Sequence, residues 1–161
     1  MKLIVGLGNP EEKYFASRHN VGHDVVEEFQ KMKPPQSFVV KKTSVYMNES
    51  GSFVKNLIEK YKLDPSDLYI IHDDLDIPLG SFKIQFGIGP KIHNGVNSVE
   101  QELGTKDFWR VRVGIENRAT DSNISGEEYV LQDFTDDEKK IIDGVISEVC
   151  KKLATLSKNT N

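Results

Sequence analysis

Short β-branched runs alternate along this chain with segments whose apolar residues recur every three or four positions, and that alternation limits the fold more than any other feature. Lys2 to Leu7 predicts a buried strand that runs into a glycine turn, Gly6-Leu7-Gly8-Asn9-Pro10. Val21, Val25, Val26 and Phe29 then recur at helical spacing, and Lys33-Pro34-Pro35 ends that helix because proline lacks the N–H the next turn needs. Phe38 to Lys42 predicts a short strand, and Gly51 to Tyr61, with Phe53, Val54, Leu57, Ile58 and Tyr61 in register, a second helix. Leu68 to Ile71 predicts a buried strand that ends on His72-Asp73-Asp74. Ser81 to Phe86 alternates as a strand does, Asn94 to Leu103 suggests a third helix, and Phe108 to Ile115 alternates again. In that last run Trp109, Val111 and Val113 fall on one face, Arg110 and Arg112 on the other. Thr135-Asp136-Asp137-Glu138 is a capping-box signature that opens a final helix carrying Ile141, Ile142, Val145, Ile146, Val149 and Leu153.

Strands alternating with helices predict an α/β sheet with helices on both faces. No repeat or linker divides the 161 residues, so one domain over residues 1–155 is expected, with a polar tail, 156–161, that frays. The net charge of -4 argues against a protein coated in positive charge. Only the segment 81–120 carries an excess of cations, so an anion-binding face has to be built from selected residues there. The apolar start breaks at Gly6, too early for a signal peptide or a membrane span, and the lone Cys150 forbids an intramolecular disulfide. Both features point to the cytoplasm and away from a membrane.

Polar clusters gather where strands are predicted to end or helices to begin: Gly6–Pro10, Ser17-Arg18-His19-Asn20, Tyr46-Met47-Asn48, His72–Asp76 and His93-Asn94-Gly95. In open α/β sheets, ligands bind beyond the carboxyl ends of strands, so Gly6–Pro10 and His72–Asp76 can share a cleft. Gly-x-Gly-Asn-Pro is not the dinucleotide fingerprint, because Pro10 stands where a third glycine belongs. The acids of His72–Asp76 suit Mg²⁺ or Mn²⁺, or are simply a solvated loop. Asn9, Asn48 and Asn94 taken singly are ordinary turn formers.

Taken together and in order, these clusters resemble the bacterial-type peptidyl-tRNA hydrolases. The resemblance rests on Gly6-Leu7-Gly8-Asn9-Pro10, Tyr14, Arg18-His19-Asn20-Val21-Gly22, Tyr46-Met47-Asn48-x-Ser50-Gly51, Asp73-Asp74-Leu75-Asp76-Ile77-Pro78-x-Gly80 and His93-Asn94-Gly95. It continues through Leu103-Gly104 and Phe108-x-Arg110-x-Arg112-x-Gly114-Ile115. The resemblance implies a single-domain mixed, largely parallel sheet and a reaction, hydrolysis of the ester joining a peptide to the 3′-terminal ribose of tRNA. It implies His19 as general base and Asp73 as its partner, with Asn9, Tyr14, Met47, Asn48 and Asn94 against the substrate. Arg112, with Lys83 and Lys91, would meet tRNA phosphates. It implies no metal or other cofactor, peptidyl-tRNA as the partner, and a monomer. Histidine suits the base because its ordinary pKa, about 6.5, lies near neutrality. A carboxylate on its other nitrogen fixes the tautomer and stabilises the imidazolium.

Several features depart from the family pattern. Lys91 and Ile92 stand where glycines are usual, Gln85 where a lysine is usual, and the segment between residues 21 and 46 is short enough to imply a missing edge strand or hairpin. Two rival readings follow: a relative of the same fold kept for RNA or protein binding, and a metal-dependent phosphoesterase built on His72–Asp76. A serine hydrolase is disfavoured because no Gly-x-Ser-x-Gly elbow is present. His23, His72 and His93 are expected to be structural, and Cys150 to be core.

Overall fold

A computed structural model describes residues 1–159. Among these residues five strands form one sheet in the order β2-β1-β3-β5-β4: β1 (Lys2–Gly6), β2 (Phe38–Lys42), β3 (Leu68–Pro78), β4 (Phe82–Phe86) and β5 (Trp109–Glu116). All neighbours pair parallel except β4 and β5, which are antiparallel, so the sheet is mixed and largely parallel as expected. β2 forms the edge on the side of the short 21–46 segment.

Helices cover both faces, because β1 and the first half of β3 are apolar on both sides. On one face, α1 (Val21–Lys31) and α5 (Asp136–Thr155) bury Val25, Val26, Phe29, Ile142, Val149 and Leu153 against Ile4, Ile71, Val111 and Val113. On the other, α2 (Ser50–Tyr61) and α3 (Asn94–Leu103) bury Val54, Val96 and Val99 against Leu3, Val5, Leu68 and Ile70. A short helix not anticipated from the sequence, α4 (Gly126–Leu131), precedes α5. The capping box is present: Thr135 accepts from the Glu138 amide, and Glu138 from that of Thr135.

Two boundaries differ from expectation. β3 does not stop at Ile71 but runs on to Pro78, because β5 continues to supply backbone partners as far as Asp74 and again at Pro78. Helical structure also runs past Leu153. α5 continues to Thr155, a 3-10 turn follows over Leu156–Asn159, and Leu156 packs against the core. The last two residues of the expected tail, 160 and 161, lie outside the described residues.

The order of strands fixes where a site can form. The chain leaves β1 toward β2 on one side and returns to β3 on the other, so the connections diverge between β1 and β3 and open a crevice at their carboxyl ends. α1 enters that crevice closely. A Cβ on Gly22 would lie 2.5 Å from the Ile71 carbonyl oxygen and 2.6 Å from that of Leu7, so only glycine fits there.

Candidate active site

Asp73 sits within β3 at the crevice and is almost wholly buried. Each of its carboxylate oxygens meets a histidine. Oδ2 lies 2.8 Å from His19 Nδ1, and Oδ1 lies 2.8 Å from His93 Nε2. Burial alone would raise the Asp73 carboxyl, but the two imidazoles hold it well below the usual carboxylate range.

The tautomers follow from the other ring nitrogens. His93 caps α3: its Nδ1 accepts from the backbone amides of Gly95 and Val96, at 3.1 and 3.3 Å. An Nδ1 that accepts is unprotonated, so the His93 proton sits on Nε2 and is donated to Asp73. His19 belongs to a 3-10 turn, Arg18–Asn20, that leads into α1. With an ionised Asp73 at its Nδ1, neutral His19 carries its proton there and leaves Nε2 as a free lone pair on a side chain 14% exposed. Burial lowers the His19 pKa, but the Asp73 charge and hydrogen bond more than offset that, so the net shift is upward.

The turn that bears Asn9 is locked to the His19 turn. Asn20 Oδ1 accepts from the Asn9 amide at 2.7 Å, and Asn20 Nδ2 donates to the Asn9 carbonyl at 3.0 Å. The Asn9 side chain accepts from the Glu11 amide. Asn48 lies exposed in the turn before α2, and Asn94 is the exposed first residue of α3. Ser98 ties these two elements together, donating to the Asn48 carbonyl at 2.9 Å and accepting from the Gly51 amide at 2.8 Å. Met47 is buried against Leu7 and Gly95, in a packing position beneath the cleft. Tyr14 is half-buried on the loop after Pro10, with Lys13 Nζ 5.0 Å from its ring centre.

The chain matches the sequence profile of the family described as "Peptidyl-tRNA hydrolase" over residues 3–161. It belongs to that family. The peptidyl-tRNA hydrolase of Aquifex aeolicus (strain VF5) is 36% identical over 171 residues, covering 95% of this chain and 88% of the relative. That of Mycoplasmopsis synoviae (strain 53) is 37% identical, covering 92% and 85%. Among solved structures, peptidyl-tRNA hydrolase from Acinetobacter baumannii superposes with a TM-score of 0.83 at 28% identity, over 99% of this chain and 89% of that one.

Arg112, expected at a tRNA phosphate, is engaged within the protein. Its Nε donates to Asp74 at 2.7 Å and its Nη1 to Gln85 at 2.6 Å, and the residue is 8% exposed. The reason is what packs over that face. The Gly89 loop and α3 lie over the face of β5 that carries the two arginines: a Cβ on Gly89 would run into the Arg112 guanidinium, and Arg110 reaches Glu100 of α3. Arg110 is fully buried, with donors on the carbonyls of Gly89 and Lys106 and on Glu100. Lys83 and Lys91 are exposed.

The contact of His93 with Asp73 is what sequence reasoning missed. Its signal was the place of His93 immediately before Asn94-Gly95, an N-cap position whose side chain faces the strand end that carries Asp73. His23 and His72 are structural: His23 Nε2 lies 3.0 Å from Thr43 Oγ1, and His72 Nδ1 donates to the Asp73 carbonyl at 2.8 Å. Burial, helped by Lys42, lowers the His23 pKa to about 4, and burial, helped by His93, lowers that of His72 to about 3. Burial pushes the Cys150 thiol up to about 11. The potential metal ligands among the described residues are His19, Asp73 and His93, whose ligand atoms lie within 4.8 Å of one another. They fit a metal poorly. His93 Nδ1 is committed to two amides, so Nε2 would have to surrender its proton to ligate, leaving an imidazolate.

Proposed function

We propose that this chain hydrolyses the ester between the peptide and the 3′-terminal ribose of peptidyl-tRNA, with His19 as general base and Asp73 as the residue that orients it. The observation that carries this reading is the Asp73 carboxylate bridging His19 and His93, which leaves His19 Nε2 the one nitrogen of the set able to accept a proton. Nε2 takes a proton from water as the oxygen attacks the ester carbonyl. The imidazolium forms against Asp73, then returns the proton to the departing ribose 3′-oxygen, so peptide acid and free ribose hydroxyl result. The vicinal ribose hydroxyl makes that oxygen a better leaving group than a simple alkoxide. Asn9, Asn48 and Asn94 supply neutral amide donors to the peptide carbonyls and the developing oxyanion. Tyr14 lines the cleft, with Met47 packed below it. Lys83 and Lys91 meet tRNA phosphates, and Arg112 braces that side from beneath through Asp74 and Gln85.

We read residues 1–155 as one catalytic domain acting as a monomer in the cytoplasm. Among the described residues no helix is long and apolar enough to cross a membrane. A binding module has no need of a histidine held by a buried carboxylate, which favours the enzyme. The test is cleavage of peptidyl-tRNA by the wild-type chain and by His19→Ala, each with and without EDTA. Cleavage that survives EDTA and falls by about 10²–10⁴ in the folded variant supports the reading. No wild-type cleavage, or wild-type turnover by the variant, sinks it.

A further inference from the structure

The His19 turn is three residues long, and its geometry has to come from what holds it. Asn20 fastens its far end to Asn9. Its near end is fastened by Arg18, only 4% exposed although charged. The Arg18 guanidinium donates to Glu138 Oε1 at 2.6 Å and to the Tyr129 carbonyl at 2.9 Å, and lies 3.8 Å over the Tyr129 ring. Glu138, also 4% exposed, takes a further bond at 3.0 Å from Asn117, the residue after β5. The backbone follows the same path, with the Arg18 amide donating to Gln132 and Ser17 bridging Asp133. β5 pairs with β3, which carries Asp73. A closed circuit therefore joins the two ends of the His19–Asp73 hydrogen bond, from Arg18 beside His19 round to Val113, which pairs with Asp73.

Resting on the reading of His19 as the base, we infer that the buried Arg18–Glu138 pair is a positioning device that sets the reach and angle of His19 toward Asp73. Arg18 does not act as a nearby charge, since its charge is met by Glu138. It acts through the backbone bond to the next residue. A guanidinium suits the task because its planar fork fixes direction as well as distance, which a lysine ammonium does not. A shift of about 1 Å at a reacting group costs on the order of a hundredfold in rate, so a small release at Arg18 is amplified at His19.

The test separates positioning from stability. Arg18→Met/Glu138→Gln removes both charges together, leaves no buried ion unpaired and keeps an acceptor for the Thr135 amide, so the double variant should stay folded. Its kcat should fall about ten- to a hundredfold with KM nearly unchanged. The acid limb of its kcat profile should move to lower pH, because a looser contact with Asp73 no longer offsets the burial of His19. Arg18→Lys, which keeps the charge pair but loses the planar fork, should move both readouts in the same directions by less. An NMR titration of His19 should show the same downward movement without turnover, so it distinguishes failure of this inference from failure of the assigned reaction. Folded variants that keep wild-type kcat, acid limb and His19 titration overturn the positioning role. A raised KM at unchanged kcat also overturns it, by placing the pair in substrate binding.

Discussion

Replacing Asp73 by asparagine should do more harm than an isosteric change suggests, because His93 dictates which way the new amide faces. His93 presents an N–H to Oδ1, and its proton cannot move to Nδ1, which is held by two backbone amides. The asparagine oxygen must therefore face His93, and its NH₂ must face His19 Nδ1. His19 then accepts at Nδ1 and carries its proton on Nε2, the nitrogen that has to take one from water. The productive flip sets two N–H groups against each other at His93, and leaving buried donors unmet costs about 2–4 kcal/mol. Loss of the charge-assisted bond to the imidazolium adds about 1 kcal/mol. Together these correspond to a fall in kcat of about 10²–10⁴, approaching that of His19→Ala. The decisive assay is the double variant Asp73→Asn/His93→Ala. Without His93 the amide is free to turn its oxygen to His19, so single-turnover cleavage should be faster in the double variant than in Asp73→Asn, despite the lost helix cap. Equal or slower cleavage would refute the argument, as would Asp73→Asn within tenfold of wild type.

Other consequences follow from the buried charges and the exposed lysines. Arg112→Met should destabilise the fold by about 3–5 kcal/mol in urea unfolding, because it strands the Asp74 carboxylate, whose side chain is 0% exposed. An unchanged midpoint would mean Asp74 finds another partner. Lys83→Ala and Lys91→Ala should raise KM on full-length peptidyl-tRNA but not on a short substrate lacking the tRNA body, and should flatten the salt dependence of binding. Equal effects on both substrates would place these lysines at the cleft. Burial between α1 and α5 raises the Asp24 carboxyl to about 7, with Lys139 opposing and Glu27 and Asp143 adding to the effect. The folded protein thus keeps a proton that the unfolded chain releases, and stability from this group declines as pH rises from about 4 to 7. Asp24→Asn should remove that decline and stabilise the protein at pH 8 by on the order of 3 kcal/mol, with little effect near pH 4. A uniform shift at both values would contradict the assignment.

The sequence by itself determined the strand and helix succession, the layering of helices on both faces and the short list of polar clusters, because period and capping are local properties of the chain. Val25, Val26 and Phe29 repeat as a helix face must, and Thr135 with Glu138 announces α5 before any contact is known. The ordered series from Gly6 to Ile115 also led to the family. Tertiary structure decided what each polar residue is used for. β3 reaches Pro78 only because β5 lies beside it, which makes His72–Asp76 part of a strand and divides its acids between the His19 pair and the Arg112 pair. Arg110 and Arg112 alternate like exposed residues, yet the Gly89 loop and α3 close over their face of β5. His93 gains its place only when α3 delivers it to an aspartate 20 residues away, and Arg18 when α5 delivers Glu138 from 120 residues away. Periodicity reports which face of an element is apolar. Hydrogen bonds and ion pairs across such separations depend on where other elements end, and that is set by packing.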